Sequence, residues 1–159
     1  FRRVLFRSEN AEALLAHVSL QWHGDLVRGR FDWTWGENRT RNTPLVEIAP
    51  LAFRLQLRTP AWRGHRLWIA HTWEDAQRRI DPVLLETPSG AWHRLDLGLS
   101  GDLTFLGEGW SALGYALEIE NLLDHRYNRH LSSTRDPFSS GFRVLEPGRT
   151  VRIQLRFRY

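Results

Sequence analysis

The residues able to do chemistry in this chain are seven histidines, 18 acids and 22 basic residues, all arginine; it has no cysteine and no methionine. Cysteine is therefore excluded as nucleophile, metal ligand or disulfide partner. His125 and His130 stand close together beside Asp124, and imidazoles at that spacing can bind a metal or a metal chelate. No third ligand lies at close spacing. His17, His23, His65, His71 and His93 are scattered over different segments with no ligand period. Glu118 and Glu120 are the best-placed acid pair. Their spacing of two puts them on one face of a strand, where bridging to arginine is expected rather than acid–base work. There is no phosphate-cradling glycine loop, nucleophile elbow or zinc motif, so no enzyme is read here and no resident cofactor is expected.

The segments that must carry these residues alternate with period two and show no helical period. Glu12 to His23 sets Leu14, Ala16, Val18, Leu20 and Trp22 against His17, Ser19, Gln21 and His23. Leu26 to Glu37 sets Val27, Phe31, Trp33 and Trp35 against Arg28, Arg30, Asp32 and Thr34. Leu51 to Thr59 does the same with Phe53, Leu55 and Leu57 against Arg54, Gln56 and Arg58. His65 to Trp73 is ambiguous, with aromatic or aliphatic residues on both faces. Ala91 to Phe105, Ser111 to Asn121 and Val151 to Tyr159 complete about seven antiparallel strands. The last sets Val151, Ile153, Leu155, Phe157 and Tyr159 against Arg152, Gln154, Arg156 and Arg158.

Connections between these strands alternate short and long. Short turns fall at Gly24-Asp25, Pro60 to Gly64 and Gly107-Glu108-Gly109. Long polar segments run from Gly36 to Pro50, Glu74 to Gly90 and Leu122 to Gly148. In an up-and-down meander all long loops then share one end of the sheet. That is the layout of an outer-membrane barrel, as is the strand length. No apolar run reaches the roughly 20 residues of a membrane helix. Mean hydropathy is −0.45, which alternating barrel strands allow. Trp22, Trp33, Trp35, Trp73 and Tyr159 fall near strand ends, where an aromatic girdle belongs.

The formal charge of +4 does not indicate nucleic acid. The arginines recur at period two on strands rather than along one helix or patch. Phe1 to Ser8 also reads as foreign. Back-translated, Phe1-Arg2-Arg3-Val4-Leu5-Phe6-Arg7-Ser8 resembles the end of a short-read sequencing adapter and is set aside as a scar. Without it, 19 arginines face 18 acids. Residues 9–159 remain as the natural segment, and the lack of Met marks it as a piece of a longer reading frame.

The segment Leu117-Glu118-Ile119-Glu120-Asn121-Leu122-Leu123-Asp124-His125-Arg126-Tyr127, continued by His130-Leu131-Ser132, resembles the stretch near the end of TonB-dependent outer-membrane receptors. Its characteristic residues are Asn121, Leu122, Asp124 and Tyr127. Pro147-Gly148-Arg149 resembles the lead-in to that family's last strand. The chain stops on an aromatic after alternating apolar residues, like an outer-membrane C-terminal signature. Pro44 to Pro50 resembles a loop preceding another barrel strand of these receptors.

The resemblance implies an open segment of a barrel of about 22 strands, with the plug domain and energy-coupling box lying outside this chain. It implies an outer membrane of a Gram-negative bacterium and TonB-energised uptake of a metal chelate such as a ferric siderophore, haem or cobalamin. The implied partners are outer-membrane lipid, the TonB complex through the plug, the barrel-assembly machinery through the last strand, and the chelate itself. A passive porin and a soluble β-sheet binding module are the alternatives. Loop cations available to an anionic chelate are Arg39, Arg41, Arg78, Arg79, Arg126, Arg129 and Arg135, with His125 and His130 beside them.

Overall fold

In the computed structural model, which describes residues 11–84, 86–103, 113–132 and 144–157, the alternating segments form one antiparallel sheet. Its strands are β1 (Ala13–His23), β2 (Val27–Asn38), β3 (Thr43–Pro44), β4 (Ala52–Arg58), β5 (Arg66–Glu74), β6 (Trp92–Asp102), β7 (Leu113–Glu120) and β8 (Thr150–Phe157). A single 3₁₀ turn spans Pro82–Leu84, and no α-helix occurs among the described residues. The strand order is β1-β2-β4-β5-β6-β7-β8, with β3 paired to β2 off that path. Consecutive strands are therefore neighbours, as the meander reading expects.

The eighth strand is an addition to the seven read from sequence. The pairing of β2 with β4 stops at Asp32↔Ala52, so residues 33–38 of β2 extend beyond β4. The chain folds back along this extension, and Thr43 and Pro44 pair with Asn38 and Glu37. Two residues carry too little alternation to be seen in a sequence.

Register assigns one chemistry to each face. Val27↔Leu57, Leu57↔Ile69, Ile69↔Leu97, Leu97↔Ile119 and Ile119↔Val151 form a continuous apolar row across six strands. The ambiguous segment 65–73 resolves the same way. Leu67, Ile69, His71 and Trp73 lie on the apolar face, while Arg66, Trp68 and Thr72 lie on the other. Trp68 is tolerated among polar neighbours because Gly98 stands directly opposite it. A Cβ at Gly98 would lie 2.2 Å from the Trp68 ring, so the indole occupies the space a side chain would need.

Packing is inverted relative to a water-soluble domain. Among the described residues four hydrophobic side chains are buried, against eight polar or charged ones. On the apolar face Leu20 is 59% exposed, Ile153 71% and Phe157 68%. The chain exposes 11968 Å², against roughly 8,300 Å² for a compact monomer of this mass. An apolar face of this extent calls for an apolar surface against it. Among the described residues β1 and β8 each pair on one side only, leaving two open edges.

The turn end is tight where it is described. Trp62 and His65 exchange backbone hydrogen bonds of 2.9 Å around Arg63 and Gly64. Both central residues have positive φ, 48° and 81°, as a two-residue primed hairpin turn requires. The predicted Gly107-Glu108-Gly109 turn and the scar at 1–8 lie outside the described residues.

Candidate functional site

Toward the loop end, the polar face hollows into a cleft of about 480 Å³. Arg30, Arg54, Arg94 and Arg129 line it, with Asp32, Glu74 and Glu146 as its acids. Alternation on β2, β4 and β6 delivers the first three arginines to one face. Arg30 grips Asp32, with Nη2 donating to Oδ1 at 3.0 Å. Ser19 Oγ donates to the same Asp32 oxygen at 2.9 Å.

Asp96, 1% exposed, is the centre beneath the cleft. Arg94 Nε lies 2.9 Å from its Oδ1, and Arg54 Nη1 lies 3.3 Å from its Oδ2. The backbone N–H of Asn121 donates to Oδ1 at 3.0 Å. Arg94 Nη1 donates to the Tyr127 hydroxyl at 3.3 Å, and the Tyr127 ring stacks on Trp92 with centroids 4.3 Å apart. Two guanidinium groups share one buried carboxylate, which leaves donor capacity directed at the cleft. An anionic solute suits that arrangement.

The segment singled out by resemblance builds the floor of the third loop. Asn121 and Asp124 adopt positive φ, 53° and 52°, a conformation that short polar side chains tolerate. The Asn121 side chain donates to the His125 carbonyl at 2.9 Å and accepts from the His125 N–H at 3.0 Å. Asp124 Oδ1 accepts the Arg149 N–H at 2.8 Å, which ties Pro147-Gly148-Arg149 to the far end of β7. These residues set the exit from β7 and the approach to β8.

His130 is built into a buried polar knot, not into a ligand-facing position. It is 1% exposed. Its Nε2 lies 3.1 Å from Glu86 Oε1 and its Nδ1 lies 3.2 Å from Ser89 Oγ. Its N–H donates to Glu74 Oε1 at 3.4 Å. Glu86 also accepts the N–H groups of Glu47 at 2.8 Å and Asp81 at 3.0 Å. Asp81 in turn accepts from the Thr43 hydroxyl at 3.2 Å. The long connections 39–51, 75–91 and 121–149 are thereby joined through one buried cluster. Ser89, His130 and Glu86 follow the order of a hydrolytic relay, but Ser89 is only 5% exposed.

The predicted candidates separate. Arg129 lines the polar cleft. Arg78 and Arg79 line a different hollow of about 420 Å³ beside Trp33 and Trp35. The Arg79 guanidinium sits 4.8 Å from the Trp35 ring, on the apolar side of the wall. Arg126 is exposed. Arg39 and Arg41 lie just past β2, where their N–H groups bond Glu12 O and Asn38 Oδ1. Arg135 and Tyr159 lie outside the described residues.

His125 and His130 do not form a pair, since His125 is exposed while His130 is buried. The histidines read as scattered are partly gathered by the fold. His93 packs edge-on against His71 at 5.9 Å and against His125 at 4.9 Å. Even so, no three His, Asp or Glu side chains among the described residues are placed to hold a metal ion. Sequence reasoning missed Arg54, Arg94 and Asp96 as a site. Their alternation was visible, but their meeting depends on register between strands.

No family model matches the chain, and a search of curated proteins finds no sequence match. Among solved structures the chain is similar to the copper transporter OprC, with a TM-score of 0.74 and 21% identity over 94% of this chain. The matched part is 24% of that protein. The likeness supports the fold, and this chain spans about a quarter of that neighbour's length.

Proposed function

We propose that this chain forms part of the wall of an outer-membrane β-barrel receptor that takes up a metal or metal chelate with energy delivered through TonB. The observation that carries the reading is the inside-out sheet: leucine and aromatic residues outward, arginine–acid networks inward around an open cleft. Lipid is the partner of the first face, and an anionic chelate such as a ferric siderophore, haem or cobalamin fits the second. The name of the structural neighbour adds copper to the range of cargo. The receptor-like segments at 117–131 and 147–159 favour active uptake over passive diffusion. The last strand is the part offered to the barrel-assembly machinery, and no covalent step is assigned to the chain.

The test uses the full-length receptor in its own cell envelope. It should fractionate with the outer membrane, and deleting it should abolish uptake of a radiolabelled metal chelate. Deleting TonB should abolish the same uptake. Uptake that continues without TonB would make the protein a porin. A detergent-free soluble species that melts cooperatively would overturn the membrane reading.

A further inference from the structure

We propose that Arg28, Arg58 and Arg66, on the polar face near the turn end, form a second anion site, for a small solute carrying two or more carboxylate or phosphate groups. Arg28 stands opposite Gln56 and Arg58 opposite Trp68, so both arginines flank Gln56 on adjoining strands. Arg66 lies two residues before Trp68 on β5. Each step of the triad is a diagonal cross-strand contact of about 7–8 Å, which long side chains close. Arg28 and Arg66 are the cations acting electrostatically on Arg58, and Asp25 is the acid doing so.

Most other polar-face arginines have partners, Arg156 on β8 being an exception among the described residues, whereas the triad combines the lack of partners with shielded donors. Arg30 holds Asp32, Arg54 and Arg94 hold Asp96, and Arg152 reaches Glu118 at 3.4 Å and Glu120 at 3.2 Å. None of the three triad side chains makes a hydrogen bond or ion pair with a described residue. Moreover, Arg58 Nε and Arg66 Nε are shielded from solvent without an acceptor. A shielded donor without an acceptor is costly, and like charges side by side add to that cost. A multivalent oxyanion removes both penalties at once, because guanidinium groups bind carboxylate and phosphate in a fork.

The triad also continues the cleft. Arg30 and Arg54 face each other across β2 and β4, and Arg28 and Arg58 follow on the same two strands. The wall thus carries arginine from the loop end to the turn end, an arrangement suited to a solute that moves along it. The inference rests on the proposed lumenal role of the polar face.

Citrate and inorganic pyrophosphate, titrated calorimetrically into the full-length receptor in detergent, test it. Both should bind, and added salt should weaken them. Arg58→Gln should weaken citrate about tenfold or more, and Arg28→Gln, at an exposed position, provides a second variant. Arg152→Gln should leave citrate affinity unchanged. Absence of citrate binding to the wild type, or equal affinity in Arg58→Gln and wild type, would overturn the site. If an acidic segment elsewhere in the receptor covers the triad, citrate will not bind and Arg58→Gln will lower the melting temperature, which also overturns it. Chelate uptake without citrate binding removes the triad and leaves the transport reading standing. Citrate binding without uptake does the reverse.

Discussion

The two ends of the polar face use the same residue type in opposite ways. At the loop end, most arginine also serves structure: Asp96 alone receives Arg54, Arg94 and the Asn121 N–H. At the turn end, Arg28, Arg58 and Arg66 stand without a carboxylate in contact among the described residues. Alternation puts arginine on this face at both ends, but only register decides which of them meets an acid. Satisfied charge fixes backbone in place, whereas unsatisfied charge is available to something else.

The largest effect that would break this contrast comes from Asp96. Asp96→Ala strands two partly buried guanidinium groups and one buried N–H, so unfolding of the full-length receptor in urea should become easier by about 3–5 kcal/mol. A change below the scatter of surface substitutions would mean that the pairing at the loop end is decorative. Next comes the apolar face. Ile153→Arg should cost roughly 2–4 kcal/mol where the residue lies near the bilayer midplane, and Gln154→Arg on the opposite face much less. Equal costs would reverse the assignment of faces. Gly98→Ala should follow at about 1–3 kcal/mol, because its Cβ would meet the Trp68 ring, and a crystal structure of the variant should show that ring displaced. The smallest effect sharpens the comparison most. Arg58→Gln should leave unfolding stability unchanged or raise it by up to about 1 kcal/mol, since it removes a shielded donor without an acceptor and one of three neighbouring like charges. A loss comparable to that of Asp96→Ala would place the triad in the same structural class as the loop end.

Much of the architecture was legible in the chain because a β-strand's period is two. Val151, Ile153, Leu155 and Phe157 against Arg152 and Gln154 define the faces without any knowledge of neighbours. Glu118 and Glu120 could be assigned to arginine bridging for the same reason, and Arg152 now reaches both. The site was less legible because its contacts are set by pairing across strands and by loops. His71 and His93 lie on different strands and touch through a diagonal step, with His125 arriving from a loop. His130 sits beside His125 in sequence, yet its neighbours are Glu86 and Ser89, which are 44 and 41 positions away. Nothing in local spacing announces that distance. β3 escaped notice because two residues carry no pattern.

The buried cluster around His130 has a consequence for how the three connections can vary. It joins three long connections, through Glu47, Asp81, Glu86, Ser89 and His130. A substitution at a cluster position in one connection is therefore felt by the other two. The three connections thus form one inherited unit, because exchanging one alone would leave buried polar groups of the others without partners.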